Sequence, residues 1–369
     1  MSDFATPLIA WQKRHGRRGL PWQGTRDPYR VWLSEVMLQQ TQVSAVIPYY
    51  ERFLARFPTI EALAAAREDE VLQLWSGLGY YARGRNLHAA ARIISREGFP
   101  RTSFLIEKLP GIGRSTAAAI AAFAFGERAA ILDGNVKRVL ARHRGVAGFP
   151  GDKAVEAELW TIAQRALPKR GIETYTQALM DLGATVCTRS APRCGECPVA
   201  ARCVARKQGR IAELPAPRPR KALPRRQATW LLLVDRGRVL MEKRPSAGLW
   251  GGLWTFPEAG KKDPIAACRA LGCEVVAPRR LAPLEHGFTH FRLAIRPVLC
   301  PVRAAGAAAE RDGRLWVALD EAQAAAVPTP VRRLLAECSA SPAARGRRPS
   351  RAAPASPRAA RARARPAAR

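Results

Sequence analysis

Acidic residues are scarce in this chain of 369 residues, where 30 Asp and Glu stand against 61 Lys and Arg. Long hydrophobic runs are also missing, and no segment approaches the roughly 18 consecutive apolar residues of a membrane span. The N-terminal stretch MSDFATPLIAWQKRHG has no apolar core followed by small residues, which argues against a signal peptide. These absences exclude a membrane protein and predict a cytoplasmic one.

The excess of basic side chains leaves a formal net charge of +31. Such a charge predicts a polyanionic partner, because lysine and arginine neutralise phosphates and release condensed counterions. Nine of these positive charges are arginines in residues 339–369, a segment that contains no acidic residue. The alternative interpretation is that this basic segment only keeps the protein soluble. The other +22 belongs to the body of the chain. We therefore expect a nucleic acid partner.

Changes of pattern along the chain predict a multidomain protein. Helical patterns fill residues 1–213, which predicts an all-α domain, and residues 214–226 form a basic linker stiffened by four prolines. Residues 227–338 combine β-rich runs around a turn with a final helix, which predicts an α+β domain. Residues 339–369 have too few apolar side chains to pack, which predicts a disordered tail.

The segment WLSEVMLQQTQV, residues 32–43, has apolar residues at helical spacing and predicts one continuous helix. Trp32, Val36 and Val43 are expected to face a core. Glu35 lies beside this apolar stripe instead of opposite it. Because burial disfavours the charged form of a carboxyl group, we expect Glu35 to be biased toward its protonated form.

Four of the eight cysteines fall within the seventeen residues 187–203, at the spacing C-x6-C-x2-C-x5-C. They are Cys187, Cys194, Cys197 and Cys203. Such a cluster is either a disulfide knot or a metal site, and nothing in the sequence suggests the oxidising compartment that disulfides need. Structural zinc sites usually have two CxxC pairs, whereas this segment has one, so the spacing favours a [4Fe–4S] cluster over zinc. The other four cysteines are scattered and are expected to be buried single thiols.

The segment LPGIGRSTAAAI contains a turn with two glycines, Gly111 and Gly113, before an alanine-rich helix that includes Ser115. Glycines allow close backbone approach, and the start of a helix presents free amides, so the turn predicts a phosphate site. A simple connection between two helices is the alternative.

A second carboxylate, Asp133, ends the apolar run of AAILDGNVKRVLAR, directly before a predicted helix that begins at Gly134 and Asn135. Aspartate is a common N-cap, and on this segment alone a cap is the favoured interpretation.

Together these motifs resemble the endonuclease III superfamily of base-excision glycosylases and, more narrowly, the MutY-type adenine DNA glycosylases. The resemblance spans about residues 20–338 and also rests on LPWQ, LWSGLGYYARGRNLH and MDLGATVCTRS. It implies a helix-hairpin-helix fold of two helical subdomains with the active site between them, and a [4Fe–4S] cluster on the four clustered cysteines. The implied substrate is double-stranded DNA with adenine opposite 8-oxoguanine or guanine, and a monomer is expected.

The resemblance also implies a role for each carboxyl group. Glu35 would donate a proton to adenine N7 and later help to activate water, while Asp133 would stay ionised and stabilise the sugar cation. Two carboxyl groups divide such tasks when their environments separate their pKa values. A nearby helix N-terminus favours the anion at Asp133, which keeps its capping role as a second duty.

Further residues match DNA-contacting positions of the family, since the base must leave the duplex before its bond is accessible. Gln39 and Tyr80 match positions that wedge into the duplex; the alternatives are a solvated helix face and a packed core aromatic. The turn glycines and Asn135 are likewise expected near DNA.

Ser115 occupies the position where bifunctional relatives carry a nucleophilic lysine. A serine cannot form a Schiff base, so the sequence predicts a monofunctional enzyme. Lys137 is a conceivable substitute nucleophile, although contact with phosphates is the favoured interpretation.

Residues 227–338 resemble a Nudix domain that has lost its catalytic glutamates. GLWGGLWTFPE supplies Gly252 and Glu258 at the spacing that opens the Nudix box, but no Glu occurs from 259 to 273. Without carboxylates for magnesium, a nucleotide pyrophosphatase is disfavoured. The resemblance instead implies that Phe288, Thr289 and His290 read 8-oxoguanine, with Thr289 at a position more often occupied by Ser. A structural histidine at 290 and a purely structural clamp are the alternatives.

Overall fold

The computed structural model describes residues 4–219, 222–306, 309–310 and 313–340. The predicted tail, residues 339–369, therefore lies outside the described residues from residue 341 onward. Its first two residues, 339 and 340, belong to the last described helix. None of the helices in these ranges is long and apolar enough to cross a membrane. A helical region comes first along the chain, and a region built on a sheet follows it.

The helical region begins near the N-terminus and ends just after the clustered cysteines. Its helices are α1 (Ala5–His15), α2 (Pro28–Leu38), α3 (Val43–Arg56), α4 (Ile60–Ala65), α5 (Glu68–Trp75), α6 (Ala82–Glu97), α7 (Ser103–Ile106), α8 (Arg114–Phe125), α9 (Gly134–Arg144), α10 (Lys153–Arg165), α11 (Ile172–Asp181) and α12 (Val204–Lys207). A π-helical turn over Leu182–Val186 continues α11 toward the first clustered cysteine.

Two hydrophobic cores stabilise the helical region, and α8 lies between them. One core contains Trp32 and Trp75, and the other contains Leu8 and Tyr175. Successive alanines of α8 face opposite ways: Ala117 and Ala121 belong to the first core, whereas Ala118, Ala119 and Ala122 belong to the second. Alanine suits this position because small side chains let neighbouring helices approach on both faces while keeping helix propensity high.

The stretch 32–43, predicted as one helix, is two helices, so that prediction was wrong. Helix α2 ends at Leu38, the backbone enters the left-handed region at Gln40 (φ 57°), and α3 starts at Val43. The guanidinium of Arg83 explains the break, because its Nη1 donates to the carbonyl oxygens of Val36 at 3.0 Å and Met37 at 2.9 Å. Those carbonyls at the helix end would otherwise lack partners.

The second region is a mixed sheet with helices on it, which confirms the α+β prediction. Its elements are β1 (Arg225–Asp235), β2 (Arg238–Lys243), β3 (Trp254–Thr255), α13 (Pro264–Ala270), β4 (Cys273–Val275), β5 (Arg279–Arg280), β6 (Leu284–Gly287), β7 (Arg292–Ala305), β8 (Arg314–Ala318), α14 (Leu319–Ala324) and α15 (Thr329–Ala340). Strands β1 and β7 pair in parallel at its centre, and the other pairs are antiparallel. The predicted turn between β1 and β2 is present.

The sheet region docks on α5 of the helical region. Leu72 is fully buried and packs into the core of the sheet region. The Lys243 ammonium lies 2.7 Å from a carboxylate oxygen of Asp69, and the Ser76 hydroxyl donates to the carbonyl of Val327 at 3.0 Å. An open cleft between the two regions lies beside these contacts.

Candidate active site

Glu35 lies in the last turns of α2 and lines a cavity of about 620 Å³. Trp22, Val31 and Phe123 contribute apolar surface, and Gln177 of α11 contributes an amide. Three arginines also line the cavity; they are Arg17, Arg18 and Arg26. The cavity is large enough for a nucleobase and combines apolar surface with two acids, Glu35 and Glu173, and small-molecule sites commonly combine apolar walls with a few polar groups.

The two predicted carboxyl groups lie within electrostatic reach of each other. Burial, and then the negative charge of Asp133, raise the pKa of Glu35 to about 8. Burial also raises the pKa of Asp133, but the amides of Val136 and Asn135 oppose this, as does the positive charge of Arg138. The charge of Asp133 thus favours the protonated form of Glu35, whereas the amides and Arg138 favour the ionised form of Asp133.

Asp133 is the N-cap of α9, which is the role that the sequence of its own segment predicted. Its Oδ1 accepts a hydrogen bond from the amide of Val136 at 2.7 Å. The segment before it is fixed by Ser115, whose hydroxyl accepts from the Leu132 amide at 2.8 Å. The first turn of α8 thus holds the carboxylate in place, and the N-terminus of α9 favours its ionised form.

The glycine turn joins α7 to α8 as a helix-hairpin-helix. Gly111 has φ 77°, and a Cβ there would lie 2.7 Å from the Cβ of Asn86, so this position requires glycine. Gly113 caps α8, and a Cβ there would meet no atom within 4 Å. Its open surroundings and the helix start behind it form the kind of backbone site that holds a phosphate.

Five of the predicted DNA-contacting residues line one cleft of about 760 Å³ between the two regions. They are Gln39, Tyr80, Phe288, Thr289 and His290. Gln39 follows α2 as its C-cap, and its amide donates to the Thr116 hydroxyl at 3.3 Å. Tyr80 has φ 47° and is 48% exposed, so it is not a packed core aromatic. Residues far apart in sequence thus meet at one surface.

An aromatic cluster supports the loop that carries Phe288. Its ring stacks on Phe291 with 4.5 Å between centroids and contacts His286 at 4.7 Å and Trp250 at 5.4 Å. Thr289 and His290 are exposed at the loop tip, with the Thr289 hydroxyl 3.3 Å from His290 Nδ1. The tip therefore presents polar groups on a rigid apolar base.

Two further candidates have their polar groups engaged within the protein. The Lys137 ammonium forms an ion pair with Glu156 at 2.7 Å and donates to the carbonyl of Pro150 at 3.2 Å. The Asn135 side-chain carbonyl accepts from Arg138 at 2.9 Å. Their contacts with DNA stay predictions.

The four clustered cysteines line one cavity together with apolar side chains of α9 and the π-helical turn. All four are free thiols, and the Arg142 guanidinium lies 3.5 Å from the sulfur of Cys187. Burial raises the pKa of Cys197 to about 11, and the neighbouring cysteines add to this. No three His, Cys, Asp or Glu side chains among the described residues are gathered as a site for a metal ion.

This donor set suits a polynuclear cluster. The four cysteines line one cavity whose exposed walls are apolar, and the buried guanidinium of Arg142 would offset the negative charge of coordinated thiolates. The other cysteines, Cys268, Cys273, Cys300 and Cys338, are free and buried, as predicted.

The remains of the Nudix box carry no cluster of acids in the structure. Glu258 forms an ion pair with Arg244 at 2.8 Å. Helix α13, which follows, contains no glutamate.

Residues that complete the Glu35 cavity were missed by sequence reasoning. Trp22 lies in the motif LPWQ, which gave the resemblance but no role, and Gln177 lies in a helix whose periodicity indicates only which face is apolar. Their proximity to Glu35 depends on how α1 and α11 pack, which no local pattern contains.

Comparison with known proteins gives concordant results for both regions. Residues 33–165 match the HhH-GPD superfamily of base excision DNA repair proteins, and residues 229–337 match the NUDIX domain. An adenine DNA glycosylase of Buchnera aphidicola is 34% identical over 90% of this chain and 95% of its own length. The adenine DNA glycosylase of Homo sapiens is 33% identical over 90% of this chain and 73% of its own length. The structure of a thermostable thymine-DNA glycosylase aligns with TM-score 0.50 and 27% identity, over 56% of this chain and 95% of that one.

Proposed function

The chain belongs to the adenine DNA glycosylase family of base excision repair, and from this premise we propose that it excises adenine mispaired with 8-oxoguanine or guanine by hydrolysis alone. In this proposal it acts as a monomer. Residues 1–213 form the glycosylase domain, 214–226 the linker, and 227–338 the domain that recognises 8-oxoguanine.

The observation that carries the proposal is that Glu35, which lines the cavity, is buried and lies within electrostatic reach of Asp133. The pKa of Glu35 is raised to about 8, so the group is protonated at neutral pH and can act as a general acid. Adenine that has left the duplex would enter the cavity, where the Glu35 carboxyl group donates its proton to N7. The bond from N9 to the sugar then breaks, and its electron pair leaves with the base.

The sugar cation that remains needs a nearby anion. Asp133 is held as the N-cap of α9, and its negative charge acts on Glu35. Its charge stabilises the cation, while the Glu35 carboxylate, now deprotonated, takes a proton from a water molecule whose oxygen bonds to the sugar. This step returns the proton to Glu35, and Asp133 stays ionised throughout, so both groups end in their starting states.

Recognition of the mispair would take place in the cleft between the two regions. Gln39 and Tyr80 occupy the side toward the glycosylase domain, where they can fill the gap that the extruded adenine leaves. Phe288, Thr289 and His290 line the cleft from the other side, and in this proposal they contact the opposing 8-oxoguanine. The rigid aromatic base of this loop favours stacking, and the exposed hydroxyl and imidazole supply hydrogen bonds.

Hydrolysis without strand cleavage is supported by the surroundings of the two candidate nucleophiles. Ser115 has no amine, and its hydroxyl is held by the Leu132 amide. The ammonium of Lys137 is paired with Glu156. Water is therefore the nucleophile in this proposal.

A [4Fe–4S] cluster is part of the proposal, held by Cys187, Cys194, Cys197 and Cys203. Such a cluster would crosslink residues 187–203 of the segment after α11 to one another and give this segment a defined shape. Arg142 contributes by fixing this segment, since its guanidinium donates to the carbonyl oxygens of Thr188 at 2.6 Å and Arg189 at 3.0 Å.

A glycosylase assay on three duplexes tests the proposal. The substrates contain adenine opposite 8-oxoguanine, adenine opposite guanine, or thymine glycol, and each reaction is analysed with and without alkali. We expect base release from the first two only, with strand breaks only after alkali. Release of thymine glycol, or breaks without alkali, would contradict the proposed specificity or the hydrolytic mechanism, respectively.

A further inference from the structure

Arg83, in the first turn of α6, joins the two loops that carry Gln39 and Tyr80. The first loop spans residues 39–42 between α2 and α3, and the second spans residues 76–81 between α5 and α6. Both contribute residues to the cleft between the two regions, and we call them the cleft loops. Arg83 itself is half-buried and lines the same cleft.

The guanidinium of Arg83 binds both cleft loops at once. Its Nη1 donates to the carbonyl oxygen of Gln39, and its Nη2 donates to the Thr41 hydroxyl at 3.0 Å. Nη2 also reaches the carbonyl oxygens of Leu78 and Gly79, each at 3.4 Å. A planar fork of N–H groups holds several acceptors in one geometry, whereas the compact ammonium of a lysine does not.

The same guanidinium lies against the ring of Tyr80. Its central carbon is 5.4 Å from the ring centroid of Tyr80 and 5.6 Å from that of Trp75, which is fully buried. An arginine this close to an aromatic ring is attracted by the electron density of the ring face. The half-exposed ring of Tyr80 is thus connected, through Arg83, to an aromatic side chain of the core.

Each cleft loop contains a residue in the left-handed region of the backbone. Gln40 has φ 57° and Tyr80 has φ 47°, and neither is a glycine. Such a conformation is unfavourable and persists only where the surrounding structure enforces it. Both residues line the cleft, so the enforced backbone determines which groups the cleft presents to DNA.

Arg83 obtains no charge compensation from these contacts. Every acceptor of its Nη atoms is a neutral oxygen, and its Nε is buried without a hydrogen-bond partner among the described residues. Burial lowers the pKa of Arg83 to about 10, so the group is still charged at neutral pH. Because removing a charge from water is unfavourable, its use to bind two loop backbones indicates that their relative position matters.

We propose that Arg83 is a positioning residue that holds the two cleft loops in one arrangement, so that Gln39 and Tyr80 enter the duplex together when adenine leaves it. This inference rests on the proposed function and adds the group that coordinates extrusion of the base. Cleavage of the glycosidic bond belongs to Glu35 and Asp133 in that function. Extrusion should therefore depend on Arg83, whereas cleavage of an already extruded base should not.

Arg83→Lys tests the inference, because lysine keeps the positive charge but cannot bind both loops. The full-length chain would be assayed by single-turnover kinetics on two duplexes with adenine opposite 8-oxoguanine. In one duplex all neighbouring pairs are complementary, and in the other the flanking pairs are mismatched, so that adenine leaves the stack at lower cost. We expect the rate on the complementary duplex to fall about 10-fold or more, and the rate on the mismatched duplex to fall much less. An equal fall on both duplexes would overturn the inference.

Arg128→Lys is the matched control. The Arg128 guanidinium also donates to two carbonyl oxygens, those of Pro168 at 2.8 Å and Leu167 at 3.1 Å, but lines neither the cleft nor the Glu35 cavity. This variant should leave the ratio of the two rates unchanged. A comparable change of the ratio in Arg128→Lys would assign the effect to a general loss of stability and would also overturn the inference.

A fluorescent base analogue placed beside the adenine reports unstacking without any bond cleavage. On mixing with the complementary duplex, Arg83→Lys should give a slower or smaller rise in fluorescence than the wild-type chain. A rise identical to that of the wild type would contradict a role in extrusion.

Gln39→Ala and Tyr80→Ala complete the test and leave Arg83 unchanged. If the two loops act as one unit, the double variant should lose less rate on the complementary duplex than the product of the single losses. Independent, multiplicative losses would contradict the proposed coupling, and this cycle decides the inference if Arg83→Lys does not fold. Failure of the wild-type chain to excise adenine at all would instead reject the proposed function.

Discussion

Two carboxyl groups of the same chemistry acquire different tasks from their surroundings. Glu35 lies against apolar side chains at a cavity wall, and both burial and a neighbouring anion disfavour its charge. Asp133 is equally removed from water but receives backbone amides and faces basic side chains. The separation of roles thus follows from which groups surround each acid, and it gives pH and mutation different effects at the two positions.

The rate of excision should therefore depend on a group with a pKa of about 8. The general acid is active when protonated, so we expect the single-turnover rate to be constant at lower pH and to fall about tenfold per pH unit above 8. Glu35→Gln should give a much lower rate without this descending limb. A wild-type rate that stays level up to pH 9, or a Glu35→Gln variant with the wild-type profile, would exclude Glu35 as the acid.

Asp133→Asn should lower the excision rate strongly and change the stability of the fold only slightly. Asparagine is as good an N-cap as aspartate, so the free energy of unfolding should change by no more than about 1 kcal/mol. The negative charge beside the sugar cation is lost, and we expect the excision rate to fall by about a thousandfold or more while binding to the mispaired duplex persists. Single-turnover kinetics and a binding titration on the same duplex measure the two effects. Near-native excision by this variant would exclude the charge as the stabilising group.

At the residue level, the sequence was sufficient to propose the two acids but not the other residues that line the pocket. Glu35 and Asp133 stand out because each is a carboxylate attached to an apolar run. Trp22 and Gln177 carry no such local anomaly, and they meet only because the N-terminal segment packs on α11. Long-range packing of this kind has no periodic signature.

At the level of elements, the helix-hairpin-helix offers a matched pair of glycine variants. Gly111→Ala places a Cβ 2.7 Å from Asn86 in a backbone with φ 77°, so we expect a lower melting temperature, corresponding to about 1 kcal/mol or more. Gly113→Ala has open space and should retain its stability. If a phosphate binds at this helix start, Gly113→Ala should weaken binding to any duplex sequence. Unchanged binding by a stable Gly113→Ala variant would mean that the phosphate does not bind at this helix start.

The cysteine segment is a second element with a direct test. Protein purified without oxygen should contain four iron and four inorganic sulfide per chain, since four thiolates are the ligand set of such a cluster. Cys197→Ser should reduce the iron content and lower resistance to proteolysis around residues 187–203, because the crosslink would be weakened. Stoichiometric zinc in place of iron would overturn the cluster assignment.

Element boundaries show where sequence patterns are insufficient. Apolar spacing continues from Trp32 to Val43, yet the helix stops at Leu38 because Arg83, more than forty residues later, binds its terminal carbonyls. The alanine-rich α8 was predicted as a helix from its composition, and its central place between two cores became visible only in three dimensions. Local sequence thus gives the type of an element more reliably than its end.

At the scale of the whole molecule, the cleft depends on how the two regions dock. Gln39 and Tyr80 come from one region and Phe288 to His290 from the other, so their alignment is a property of the interface. The interface contains partly exposed ion pairs, such as Lys243 with Asp69, which contribute little by themselves. The fully buried Leu72 is therefore an important fixed point of the docking.

Leu72→Ala should loosen this docking. Removing a fully buried leucine costs about 2 to 5 kcal/mol, and here part of that loss falls on the interface. We expect the preference for adenine opposite 8-oxoguanine over adenine opposite guanine to decline, because the reading loop is held less firmly. The rate on the guanine mispair should change little, since Glu35 and Asp133 lie in the other region.

Leu63→Ala is the matched control, because Leu63 is also fully buried but lies in a core of the helical region. It should lower the melting temperature comparably and leave the preference for 8-oxoguanine unchanged. Single-turnover rates on both mispairs, measured well below the melting temperature of each variant, give the ratio directly. If Leu63→Ala lowers the ratio as much as Leu72→Ala, general loss of stability explains the effect. An unaltered ratio in Leu72→Ala would mean that the loop finds 8-oxoguanine without help from the interface.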